Sequence, residues 1–477
     1  MFRGRDSWIR RMDCVLVRMK RSRGDVRLMS VGHFFYEVLP PLRTACVAFL
    51  TLLLVAPASA GAGADLPSNH HLLVGYFPQW GLYLDKPYTV KSMVRSGAAA
   101  MLDQLDYAQG FVRGGRCSVA DPNADLNYSF TAETSVDGSA DSPHAALRGN
   151  FHQLMELKHL YPHLKILISL EGRASDFAAD ASPGMRASFV ASCVKLFLRG
   201  NFGPKASAPG LFDGFDIDWE YPRGADGANY VPLLAEFRRQ MDALRPGFLL
   251  SVALATSPSK YGNADIAAVG RIVDLAGLMT YDFSGPWSRT TGFIAPLSSS
   301  LPDAASVKDS VNAWKDAGIP AAKLLIGLPF YAYGWRNVSN LNGGLGQAGR
   351  PVQEDQPYSF IESLIGPLSG ADPIGDSALS GKAADLPAKA PSGRLLYRDP
   401  MSKAPWLLDG SSFWTYDDPV SIRSKAAFAR EQQLAGMMVW ELSEDTATAT
   451  LLNAAHSGLV EAQSDVSSAG SQIAPTP

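Results

Sequence analysis

Residues 211–222 read LFDGFDIDWEYP. On an extended strand successive side chains point to opposite faces, so Asp216, Asp218 and Glu220 share one face while Phe215, Ile217 and Trp219 share the other. In a closed barrel the acids face inward and the apolar residues pack against outer helices. Asp213 falls out of this parity, near the strand's start, and reads as structural. Three carboxylates about 6 to 7 Å apart in a low-dielectric interior cannot all ionise cheaply, so at least one should hold a proton near neutral pH.

Short apolar runs recur on either side of this segment: His71–Phe77, Leu105–Phe111, Leu164–Leu170, Phe212–Trp219 itself, Leu249–Leu254, Ile272–Tyr281, Lys323–Phe330 and Gly436–Trp440. Most are rich in Leu, Ile, Val and Met without alternation, the pattern of strands buried on both faces of a parallel sheet. Helical stretches lie between them, at Leu147–Leu160, Ala187–Leu198, Tyr230–Leu244, Ala304–Ala317 and Pro419–Gln433. This α/β alternation predicts a (β/α)8 TIM barrel with its active site at the C-terminal ends of the strands. A doubly wound open sheet fits less well, given the strand count and the lack of a glycine-rich phosphate turn. The seventh and eighth strands are too far apart for one crossover helix, and residues 335–411, rich in Gly, Pro and Ser, are expected to form a small α+β insertion. Val112 to about Leu147 reads as loop.

The chain has 477 residues, 46% of them hydrophobic, and a formal net charge of −3, which argues against a nucleic-acid binder. Residues 1–60 hold ten of the 43 Lys and Arg and four of the 46 Asp and Glu; an apolar run, Ala45–Val55, is followed by Pro57, Ala58, Ser59 and Ala60. This pattern predicts a signal peptide cut near Ala60, with Met19 and Met29 as alternative starts. A membrane anchor is the competing reading, but the run is shorter than the ~20 residues a bilayer needs. Removing the leader leaves 33 basic and 42 acidic residues, a net charge of −9. The expected mature protein is a secreted monomer, extracellular or periplasmic, with a catalytic barrel over 61–462 and a disordered tail over 463–477. Cys117 and Cys193 remain after the leader, either as a disulfide or as two separate thiols. No Cys/His cluster has metal-ligand spacing, so neither metal nor other cofactor is expected.

A protonated carboxylic acid at a strand mouth is what general-acid cleavage of a glycoside needs. Calcium or magnesium binding is the alternative use of three acids, but cation loops are flexible and hydrophilic, whereas these acids alternate with Phe, Ile and Trp. The run resembles the DxxDxDxE motif of the family-eighteen glycoside hydrolases, the chitinases, with Asp213, Asp216, Asp218 and Glu220 at its acidic positions. VGYFPQW at 74–80 and LDYAQGFV at 105–112 resemble that family's first and second strands, LMTYDFSGPW at 278–287 its sixth, and LIGLPFYAYGW at 325–335 its seventh. The stretch 413–446 resembles its last helix and strand, and the insertion falls where bacterial, insertion-bearing members carry theirs. Two departures stand out. Ser169-Leu170-Glu171-Gly172 has an acid where SxGG has glycine, and Tyr331-Ala332-Tyr333 replaces Tyr-Gly-Arg. Both imply altered subsite preference with activity retained.

The resemblance implies a retaining, substrate-assisted mechanism on chitin or chitooligosaccharides, in which the 2-acetamido group of the sugar attacks its own anomeric carbon. Glu220 is then the general acid and base, Asp218 orients the acetamide and stabilises the oxazolinium, and Asp216 shares a proton with Asp218. Tyr281 donates to the acetamide carbonyl and Asp282 supports the distorted sugar. Trp440 is the expected floor beneath the cleaved sugar, with Trp287, Met279, Tyr331 and Trp80, and also Trp335, lining the cleft. An endo-β-N-acetylglucosaminidase acting on N-glycans and a non-catalytic chitin-binding lectin are the alternative functions; the acid at 220 argues against the lectin.

Overall fold

A computed structural model describes residues 70–204, 206–301, 304–366, 388–389 and 394–460. The leader, the tail and part of 335–411 lie outside the described residues.

The strands are β1 Leu72–Pro78, β2 Gln104–Val112, β3 Cys117–Val119, β4 Lys165–Glu171, β5 Gly214–Ile217, β6 Leu249–Leu254, β7 Leu275–Leu278, β8 Leu324–Pro329, β9 Tyr331–Arg336, β10 Arg350–Pro351, β11 Gln356–Pro357, β12 Ala388–Lys389, β13 Leu395–Arg398, β14 Pro405–Asp409, β15 Ser412–Thr415 and β16 Gly436–Trp440. The helices are α1 Val90–Ser96, α2 Ala98–Met101, α3 Gly149–Leu160, α4 Ala174–Asp180, α5 Arg186–Cys193, α6 Gly227–Leu244, α7 Ile266–Ile272, α8 Val307–Asp316, α9 Tyr358–Ile365, α10 Pro419–Glu431 and α11 Thr450–Val460.

Parallel pairing runs β1-β16-β8-β7-β6-β5-β4-β2 and closes through β2 on β1, which is the expected eight-stranded α/β barrel. The apolar runs become strands because both of their faces are buried: Leu105, Ile166, Phe215, Ile217, Leu250, Val252 and Ile326 expose none of their surface. At the foot of β5 the strands come very close. A Cβ on Gly214 would sit 1.8 Å from the Leu249 carbonyl oxygen, so the register of the acidic strand against β6 requires glycine there. β7 is shorter than its apolar run, because the backbone leaves the ladder after Leu278 and residues 279–282 turn into the barrel mouth.

One segment differs from the sequence reading, and the expected α+β insertion is somewhat wider than that reading gave it. The stretch expected as plain loop after Val112 carries β3, which pairs antiparallel with β2, and a wide helical turn at Asn123–Asn127. Cys117 and Cys193 form a disulfide that ties β3 to the end of α5. Between β8 and β16 a second, antiparallel sheet runs β10-β9-β15-β14-β13-β12, with β11 on β9, so that its edges reach from Tyr331 to Thr415. Phe293, Trp335, Val338, Leu345, Trp406, Leu408 and Phe413 form its own core. Trp335 is therefore fully buried packing and does not line a cleft. Arg398 of this sheet grips Asp418, the N-cap of α10, through both carboxylate oxygens, which fixes the sheet to the helix that precedes the last barrel strand.

Candidate active site

Asp216 lies at the centre of the barrel, 1% exposed. The register places Ser169 of β4 and Ser251 of β6 on either side of it. Both hydroxyls donate to its carboxylate at 2.8 Å, Ser169 to Oδ2 and Ser251 to Oδ1, and Tyr76 Oη of β1 donates to Oδ2 at 2.8 Å. Burial pushes the Asp216 carboxyl up and these three donors pull it back. Asp106 of β2, 2% exposed and accepting from Gln104 Nε2 at 2.8 Å, is pushed well above the usual carboxylate range by burial and then by the charge of Asp216. Two buried carboxyls thus share the barrel interior, and Asp216, with three hydroxyl donors, is the better placed to carry the negative charge.

Asp218 and Glu220 follow directly on the C-terminal end of β5, which stops at Ile217. Asp218 is 6% exposed and its backbone N–H donates to the Leu170 carbonyl at 3.1 Å; Glu220, just beyond the strand, is half-buried. The opposite parity packs outward as expected. Phe215 meets Phe237 with centroids 5.2 Å apart, and Trp219 stacks on Phe177 at 5.5 Å. Asp213 accepts from Lys158 Nζ at 2.7 Å and from the Ile166 N–H at 2.9 Å, a structural link between β5, β4 and α3.

Two groups of aromatic rings flank the acids. On the β1 and β16 side, Trp440 lies 5.3 Å from Tyr76 and 6.2 Å from Trp80. On the β7 and β9 side, Tyr281 meets Tyr331 edge-on at 6.1 Å, Tyr331 meets Tyr333 at 5.4 Å, and Tyr333 meets Trp287 at 5.4 Å. The second series climbs from Tyr281, 3% exposed, to Trp287, 47% exposed at the rim. Tyr331 itself is buried and donates its hydroxyl to Asp282 Oδ1 at 2.5 Å. Asp282 has a left-handed backbone, φ 62°, a conformation that costs a non-glycine residue energy and that persists where surrounding contacts over-determine it. Met279 is buried behind this series, its N–H on the Leu254 carbonyl at 2.8 Å.

Sequence reasoning missed several of these partners. Ser169 and Ser251 share Asp216's inward parity, and that signal was available once the strand register was known. Asp106, and Glu441 beside Trp440, were also missed. Glu441 is 5% exposed, burial pushes it up to about 7, and the Ser443 N–H and hydroxyl donate to it at 2.7 and 2.6 Å. Glu171 ends β4 on the parity of Ser169, and the Gln109 amide, oriented with its nitrogen toward that carboxylate, donates to it. Among the described residues, no group of three or more His, Cys, Asp and Glu is arranged to hold a metal ion, and no helix is long and apolar enough to cross a membrane.

The chain is 32% identical over 406 residues to chitinase C of Streptomyces lividans, covering 82% of this chain and 60% of that protein. It is 33% identical over 399 residues to chitinase 63 of Streptomyces plicatus, covering 81% of this chain and 60% of the relative. The chain thus spans about 60% of the length of these two relatives. The catalytic domain of the psychrophilic chitinase B from Arthrobacter TAD20 superposes with a TM-score of 0.70 at 28% identity, covering 82% of this chain and 96% of that domain. The sequence model of Glycosyl hydrolases family 18 matches residues 72–445, from the first barrel strand to the loop after the last. The chain belongs to the glycosyl hydrolases family 18.

Proposed function

We propose that the protein is a secreted chitinase that hydrolyses β-1,4 bonds between N-acetylglucosamine units with retention of configuration. The observation that supports this most is the inward row Asp216, Asp218 and Glu220 at the C-terminal end of β5, with Asp216 held by three hydroxyl donors. Glu220 gives its proton to the leaving glycosidic oxygen while the acetamide carbonyl oxygen of the same sugar attacks the anomeric carbon. The C–O bond to the leaving sugar breaks, and a cyclic oxazolinium forms. Asp218 accepts the acetamide N–H and balances the positive charge. Glu220, now a carboxylate, takes a proton from water, whose oxygen opens the ring from the same face. Asp216 keeps its charge when Asp218 turns toward substrate, because Tyr76, Ser169 and Ser251 still donate to it. Tyr281 and Asp282 hold the distorted sugar, and Trp440 supplies an apolar floor for its C–H face.

Secretion accords with the basic leader and apolar run of residues 1–60 and with the Cys117–Cys193 disulfide, since such bonds persist in oxidising compartments. The mature protein acts as a monomer on a neutral polymer.

The test is chitohexaose digestion followed by proton NMR of fresh products, beside one N-glycan. Newly formed β-anomers from chitohexaose are expected. Binding without product would overturn the enzymatic reading, and cleavage of the N-glycan alone would move the substrate to glycoproteins. Glu220→Gln should lose about 10² to 10⁴-fold in kcat, the usual share of general-acid catalysis, and still bind the hexamer.

A further inference from the structure

The long connection after β3 returns to the barrel mouth and grips the turn Gln79–Tyr83, which follows β1 and carries Trp80. Three of the turn's residues are held. Gln79, 1% exposed, donates its Nε2 to Asp125, and Asp125 exposes none of its surface. Leu82 packs in a small separate cluster with Ala124 and Phe130. Tyr83 donates its hydroxyl to Asp121 Oδ2 at 2.7 Å and accepts from Asn123 Nδ2 at 3.1 Å. Trp80 sits between these attachments, with its ring on Trp440.

The clamp is itself braced. Tyr107 of β2 donates its hydroxyl to Asp125 Oδ1, and Asn150 of α3 donates to the Tyr107 oxygen at 2.9 Å. Asp121 Oδ1 accepts the N–H groups of Asn123 and Ala124 at 2.8 and 3.2 Å, closing the wide turn on which Asp125 stands. Gly149, at φ 68°, lets α3 begin against this turn, since a Cβ there would lie 2.5 Å from the Ala124 carbonyl oxygen. A carboxyl group buried so deeply is costly unless it is hydrogen-bonded, and Asp125 accepts from both Gln79 and Tyr107. Asp125 joins the turn after the first strand to Tyr107 of the second and, through Tyr107, to Asn150 of α3, and its partner Gln79 is the residue next to Trp80.

We infer that Asp125 is a positioning residue for substrate binding: through Gln79 it fixes the turn that presents Trp80 beside Trp440, and so sets the affinity for an extended chain without taking part in bond cleavage. This rests on the proposed reading of the cleft as an oligosaccharide site. An aromatic platform that is present but loosely oriented loses stacking in the ground state and the transition state alike, which raises KM and spares kcat.

The experiment is steady-state kinetics and calorimetric binding of chitohexaose by the wild type, Asp125→Ala, Tyr83→Phe, Trp80→Ala and the Asp125→Ala/Trp80→Ala double variant, with melting temperatures for each. Asp125→Ala is expected to raise KM and Kd about 10-fold, the scale of one aromatic contact, with kcat within about 2-fold of wild type. The double variant should bind no more weakly than Trp80→Ala alone, because the two changes remove the same contact. Tyr83→Phe removes only a surface hydroxyl and should raise KM in the same direction by a smaller factor, which keeps the test open if Asp125→Ala folds poorly. Additive losses in the double variant, a loss confined to kcat, or an unchanged KM in both Asp125→Ala and Tyr83→Phe would each overturn the inference while leaving the proposed function standing. A wild type that neither binds nor cleaves chitohexaose would remove both.

Discussion

Glu171 is the residue at which this chain departs most plainly from the pattern it resembles. It lies one parity step above Ser169, just past the end of the pairing of β4 with β5, and the Gln109 amide holds its carboxylate. The side chain therefore occupies volume at the mouth that glycine would leave to substrate. Glu171→Gly is expected to open this side of the cleft and shift the product-length distribution from chitohexaose, whereas Glu171→Gln, of the same shape, should keep the wild-type distribution. Timed chromatography of the products checks this; identical distributions for all three proteins would mean that Glu171 does not shape the cleft. The acids on β5 were legible in the sequence because strand alternation is a local rule. Their partners were not: Tyr76 meets Asp216 across 140 residues, and Asp125 meets Gln79 across 46. Such pairs become visible only when register and closure bring distant strands together.

At the level of elements, the barrel strands and the long helices were readable from apolar runs and their spacing. The short hairpin strand β3 was not, since Cys117–Val119 is flanked by Arg, Gly and Asp and has too few residues to show a period. Its order comes from long-range ties, the disulfide to Cys193 and the Ser192 hydroxyl that accepts the Cys117 N–H at 2.9 Å. The bond closes a loop of 76 residues, which in the chain-entropy account is worth about 4 kcal/mol. Cys117→Ser is expected to lower the melting temperature by several degrees, and a reducing agent should do the same to the wild type and nothing further to the variant. Differential scanning calorimetry with and without reductant checks this, and an unmoved transition would show that the hairpin is held by its other contacts.

Across the whole fold several of the described carboxyls lie in the interior, and this sets how stability should depend on pH. Burial pushes Asp106 and Asp216 up, Asp445 to about 6, Glu441 to about 7 and Asp125 to about 8. A carboxyl raised in the folded state binds its proton more tightly there than in the unfolded chain. Its stabilisation is complete below the unfolded value near 4 and is lost as pH rises through the folded value. Opposite in sign are carboxyls held low: hydrogen bonds from Arg239 bring Glu236 to about 2, and the Ser139 backbone lowers Asp137. Those two contribute above their unfolded values and lose their effect as pH falls toward 2; Asp137 is exposed, and Glu236, though partly buried, pairs with an exposed Arg239, so solvent screening keeps them weak. The raised, buried groups therefore dominate. Thermal stability should peak near pH 4 to 5 and decline steadily to about pH 8, beyond which Glu441, Asp445 and Asp125 add no further slope. Melting temperatures from pH 3 to 10 at constant ionic strength read this directly. A maximum at neutral pH would mean that the interior carboxyls are better solvated or better paired than their burial implies, and the proton-sharing described for the barrel interior would have to be redrawn with them.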